Sequence, residues 1–165
     1  MYIWNKKALE QKLIDDSLTE REKFSYVFAL IFSYVLGSSI AIFFPEEVSE
    51  IAVLGQVFML ILTAIGIIWC FQINQSGDGT KFVERFVCIG WVMSIRVLAM
   101  YLIFLIVASV IFSLADREGF DEILSGPSII LDILLIGILT IIYYWRVSTS
   151  IAVIANAKRI VNELD

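Results

Sequence analysis

Residues 82–114 read FVERFVCIGWVMSIRVLAMYLIFLIVASVIFSL. As one helix, at about 1.5 Å per residue, this stretch would be roughly 50 Å long, against a bilayer hydrocarbon core of ~30 Å. It is too apolar and too long for a soluble core helix, so it is expected to cross a membrane and to project beyond it. Val97 to Leu114 alone supplies about 18 uncharged residues, or about 27 Å, so the crossing does not require Arg96 to be submerged. Arg96 is then expected near the inner interface, snorkelling to lipid phosphate, with Phe86, Val87, Ile89 and Trp91 along the membrane boundary or packed on neighbouring helices. The alternative puts Arg96 inside a bundle, lining a polar path, as an intramembrane charge suggests.

The rest of the chain agrees with a membrane environment. Its 165 residues are 59% hydrophobic, with a formal charge of −5 and a mean hydropathy of +0.87. An acidic balance with no basic cluster argues against direct nucleic-acid binding, which depends on neutralising phosphates with Lys and Arg. The chain has no His, and its two cysteines, Cys70 and Cys88, lie in adjacent apolar runs. That composition removes the usual zinc sites and every Ser-His or Cys-His pair, so no catalytic, metal or cofactor residue is assigned. The cysteines read as small packing residues on the reduced side of the membrane.

Residues 1–16 are too densely charged for a secretory leader and are expected to remain on the side of synthesis. Trp4, Ala8, Leu9, Leu13 and Leu18 form a loose apolar stripe beside Lys6, Lys7 and Lys12, which suits a helix on an anionic membrane surface or one packed on its own protein. Ser17-Leu18-Thr19-Glu20 has capping-box spacing and is expected to open the first span, 24–44. In that span Ser33, Gly37 and Ala41 recur at every fourth position. Such small residues allow close helix packing, internally or between copies. Pro45-Glu46-Glu47 makes a short hairpin to the second span, 51–73, where Gly55, Ala64 and Gly66 are close-packing candidates. Gln56, strongly polar within that span, is expected to form an interhelical hydrogen bond or, as an alternative, to line a pore. Asn74 to Thr80 is dense in turn formers, and its Gly-Asp-Gly favours positive-φ backbone. It lacks the Gly-Lys-Ser/Thr of a phosphate loop.

The third span is set at 92–114 and the fourth at 128–147, after an acidic connection from Ala115 to Pro127. Ser128 can cap the fourth span, with Asp132 near its positive end. Asp132 is too far in depth from Arg96, by roughly 20 Å, to pair with it. Arg96 is instead expected nearly level with Arg146, whose neighbours Tyr143, Tyr144 and Trp145 make an interfacial belt. No Gly or Pro interrupts residues 138–165, so the last helix is expected to run on as a tail, 148–165. There Ile151, Ile154, Val161 and Leu164, beside Lys158, form an amphipathic stripe awaiting cover from the N-terminal helix, a sister subunit or a soluble partner.

Lys and Arg number five in the N-terminal segment, two in the middle loop and three at the C-terminal end, against one, Arg117, in the two short connections. The positive-inside rule then places both termini and the middle loop in the cytoplasm of an inner membrane. The expected fold is all-α, a polytopic membrane protein with four transmembrane helices and amphipathic cytoplasmic helices at both ends. Mass concentrated on the inner face points to a non-enzymatic scaffold or sensor that touches membrane lipid, forms a homo-oligomer and holds a soluble cytoplasmic effector. An oligomeric channel lined by Arg96, Gln56 and Asp132 is the alternative from another class. A third is an immunity protein acting in the bilayer against a pore-forming toxin.

Four spans, inner termini, the Asn74-to-Thr80 turn and helical cytoplasmic ends together make an architecture that resembles the small membrane components of bacterial two-gene anti-phage systems, such as the membrane subunit of Kiwa. It is similar as well to the small four-span colicin immunity proteins. The first resemblance implies a membrane sensor that assembles with a soluble DNA-binding effector, so that nucleic acid would meet the partner rather than this chain. It implies no functional residues.

Overall fold

The computed structural model describes residues 2, 5–43, 50–115 and 128–164, with side chains at 37–43, 111–115, 128–132 and 162–164 excepted. These residues form five α-helices: α1 (Lys6–Ile14), α2 (Glu20–Phe43), α3 (Glu50–Ser76), α4 (Phe82–Ala115) and α5 (Ser128–Leu164). Among the described residues no strand is present, and three helical segments are long and apolar enough to cross a membrane: Glu50–Ser76, Phe82–Val110 and Ile133–Val161. The chain is all-helical, as expected. The expected connections at Pro45–Glu47 and 116–127, and Trp4, lie outside the described residues.

Helix boundaries follow local chemistry. Asn5 caps α1, its Oδ1 accepting from the Ala8 amide at 3.1 Å. The cap of α2 is displaced by two residues from the expected Ser17–Glu20 box. Thr19 Oγ1 accepts from the Glu22 amide at 3.3 Å, while Glu22 Oε2 accepts from the Thr19 amide at 3.0 Å. Both S/T-x-x-E pairs fit the pattern, but the Ser17 amide is used at the end of α1, donating to the Lys12 carbonyl at 3.0 Å. Thr19 and Glu22 are left to close the reciprocal cap.

The order of the long helices is set by glycines. Gly55, Gly66 and Gly77 meet Ile133, Tyr144 and Ala155, so both series advance by 11 residues. Eleven residues are about three helical turns, which keeps one face in contact along a nearly straight parallel pair. A Cβ on Gly55 would sit 2.6 Å from Ile133 Cδ1, one on Gly66 2.6 Å from Tyr144 Cδ1, and one on Gly77 2.9 Å from the Ala155 carbonyl carbon. Only hydrogen fits against the Tyr144 ring and the Ala155 backbone, whereas the Ile133 side chain can turn aside from a Cβ on Gly55; α3 and α5 make the most extensive helix pair among the described residues. From their shared turn α3 and α4 diverge with α5 between them, and α2 packs on the far side of α4. The helices therefore form a row, α3–α5–α4–α2, rather than a closed bundle.

The buried core is concentrated at the end where α1, the α3–α4 turn and the last turns of α5 meet. Leu9 and Leu13 of α1, Leu18, Tyr26 of α2, and Cys70 of α3 join Ile89, Val92 and Met93 of α4 and Val147, Ile151 and Ile154 of α5. Further along the helices most large apolar side chains face outward, including Phe28 and Phe32, Leu60 and Ile61, and Ile103 and Ile106. Outward apolar faces suit hydrocarbon surroundings, and a buried core suits water.

Candidate functional site

The hub formed by that core is held together by three polar clusters. At its centre Arg85 is 1% exposed and Asn74 wholly buried. Arg85 Nη1 lies 2.5 Å from Asp78 Oδ1 and Nη2 2.6 Å from Oδ2, a fork-on-fork pair. Nη1 also donates to Asn74 Oδ1 at 2.8 Å, and Asn74 Nδ2 donates to the Thr80 carbonyl at 3.2 Å. Burial alone would raise the Asp78 carboxyl, but Arg85 and the Thr80 hydroxyl and amide outweigh it and hold the group at about 2. Gly79 has φ +65°, the positive-φ backbone expected of the Gly-Asp-Gly turn.

A second cluster joins three segments. Asp16, itself at φ +51°, accepts from Lys81 at 2.7 Å and from Lys158 of α5. Its carboxyl lies below the ordinary carboxylate range because the two lysines outweigh the opposing effect of burial. The third cluster fixes α1 on α2. Lys12 Nζ lies 3.1 Å from Glu22 Oε1, and the Tyr2 amide donates to Tyr26 Oη at 2.8 Å. The Thr19 amide, then Lys12, hold the Glu22 carboxyl at about 2.

The hub redistributes the expected partner-contact residues. Ile151 and Ile154 are fully buried within the chain, against a core to which α1 contributes Leu9 and Leu13. Lys158 is engaged by Asp16. Val161 is 51% exposed, and the Leu164 side chain lies outside the described residues. Of the three covers considered for the stripe, the N-terminal helix occupies its inner part, and the α1 stripe itself faces protein. The apolar residues that α5 leaves exposed here are Val153 and Ile160, on the side away from Ile151 and Ile154, and Val161, on their side about two turns further along.

Arg146 is exposed, its guanidinium carbon 5.9 Å from the Trp145 ring centroid. Arg96 is half-buried and partnered. Ser94 and Val97, near Arg96 on α4, line a cavity with Thr140 and Tyr143 of α5. Gln56 is exposed beside the inward-facing Gly55, and the expected interhelical bond is not made among the described residues. The side chain of Asp132 and the surroundings of Gly37 and Ala41 lie outside what the structure describes, and Ser33 is exposed.

Two features carried too little signal to be singled out. Arg85 entered the sequence argument only as a loop charge, although Asp78 stands seven residues before it across a turn. The cavity of about 470 Å3 between α3, α4 and α5 draws its polar atoms from Thr63, Ser94, Tyr101, Thr140, Tyr143 and Tyr144, which are scattered over three helices. Among the described residues no group of three or more His, Cys, Asp or Glu side chains is gathered to hold a metal. No protein-family model, curated protein or solved structure matches this chain.

Proposed function

We propose that this chain is a multi-pass inner-membrane scaffold or sensor subunit that oligomerises and recruits a soluble cytoplasmic effector. In this reading α2 is the fourth span, both termini are cytoplasmic, and the hub stands on the cytoplasmic side. The observation that carries it is the concentration of the buried core and all three polar clusters at the end with the basic excess. α5, at 37 residues, would be about 55 Å long and therefore extends well beyond a ~30 Å hydrocarbon core. A rigid projecting hub is what a soluble partner needs as a landing surface, and Val153, Ile160 and Val161 are its exposed apolar contacts. The resemblance to anti-phage membrane subunits gives phage defence as the setting. An oligomeric pore is the second reading, favoured by the outward Gln56, which a second copy would satisfy.

The test is a native-membrane pull-down of the tagged chain, with the mass of the detergent-solubilised complex determined. A stoichiometric soluble protein is expected with the wild type, and at least tenfold less with Val153→Asp/Ile160→Asp. Because both positions are exposed, insertion and melting temperature should be unchanged. A homo-oligomer without any soluble companion would defeat the scaffold reading and favour the pore.

A further inference from the structure

The cavity between α3, α4 and α5 has the attributes of a ligand site. α3 and α5 are held together by three glycine contacts, whereas α4 approaches α5 closely at Gly90, where a Cβ would lie 2.8 Å from Tyr143 Oη. Beyond that contact α4 separates from the pair and leaves about 470 Å3, within the ~300–1,000 Å3 range of small-molecule sites. The lining from Ile136 to Tyr144 lies roughly 12–24 Å along α5 from its first residue, within its apolar segment and with Tyr143 about one turn from the exposed Arg146. Molecules dissolved in the bilayer reach it from the side.

Its chemistry narrows the occupant. No charged side chain among the described residues lines it, which excludes a phosphate or ammonium head. Ser94 Oγ already donates to the Trp91 carbonyl at 2.8 Å. The hydroxyls of Tyr101 and Tyr143, by contrast, have no hydrogen-bond partner among the described residues. Both hydroxyls are therefore donors that an occupant's acceptors can use. Three tyrosine rings also give the cavity flat walls on which a flat group can stack.

We propose that this cavity binds the head of an isoprenoid quinone, a neutral, flat, carbonyl-bearing lipid. Tyr101 and Tyr143 donate to its carbonyl oxygens, and its tail passes sideways into the bilayer. A glycerolipid's ester carbonyls can accept from the same hydroxyls but bring no flat ring to stack, and competition by diacylglycerol tells the two apart. The inference needs only that α3, α4 and α5 lie in a bilayer, and it stands whether or not the hub recruits a partner.

The full chain in phosphatidylethanolamine–phosphatidylglycerol vesicles is titrated with a short-tailed ubiquinone, and quenching of tryptophan fluorescence is followed. Saturable quenching is expected, weakened roughly 5–10-fold by Tyr143→Phe and again by Tyr101→Phe, as for loss of one hydrogen bond each. Thr140→Phe, which fills the cavity, should abolish saturation. Melting curves verify that each variant is folded. Quenching that rises linearly with membrane quinone, equal competition by diacylglycerol, or unchanged affinity in folded Tyr143→Phe would each overturn the proposal.

Discussion

Arg85 shows how a single charged residue can be kept inside a largely apolar chain. Its guanidinium is desolvated, and the cost is offset only because Asp78 matches it with two oxygens and Asn74 Oδ1 accepts a further hydrogen bond. The consequence is asymmetric. Arg85→Met leaves the Asp78 carboxylate buried without its countercharge and should lower stability by about 3–5 kcal/mol, whereas Arg85→Met/Asp78→Leu should recover much of that loss. Detergent melting of the two variants checks this; equal destabilisation would mean that the pair matters for turn geometry rather than charge. The pairing was hard to read from sequence because Asp78 sits among strong turn formers, and the same residues explain a solvated turn equally well. Arg96 posed the opposite difficulty. Its presence within an apolar run was plain, but its depth depended on helix stagger, which no local pattern encodes.

At the level of elements, hydropathy made the long helices legible, because a span must present apolar side chains whatever it packs against. Packing order was not legible in the same way. Gly55 and Gly66 read as close-packing positions, yet the 11-residue series is completed by Gly77, which the sequence assigns equally well to a turn. The same ambiguity displaced the α2 cap, where two overlapping boxes competed and the end of α1 decided between them. The seam makes graded predictions. Gly77→Ala meets Ala155 backbone, which cannot rotate away, and should cost about 1–3 kcal/mol. Ala155→Gly in the same chain should restore only part of it, since the Ala155 carbonyl carbon remains 2.9 Å from the new Cβ. Thermal unfolding of the single and double variants measures the coupling, and additive effects would remove Gly77 from the seam.

For the whole molecule, the division between an outward-facing apolar row and a water-adapted hub implies two different sensitivities. The hub is fastened by Asp16, Glu22 and Asp78, all with carboxyls lowered by folding. An unfolded hub therefore binds protons before a folded one does. The stabilisation from Glu22 and Asp78 is complete above the ordinary carboxylate range and is lost as pH falls through about 2. Acid should thus detach α1 while α3, α4 and α5 remain helical in detergent. Amide hydrogen exchange after brief acid exposure provides the measurement, with protection expected to fall around Leu9 and Leu13 and to persist around Leu60 and Ile103. Uniform loss along all helices would mean that hub and spans unfold as one unit. Separate loss would establish the hub as its own cooperative unit, able to release α1 and bare Ile151 and Ile154 without disturbing the spans.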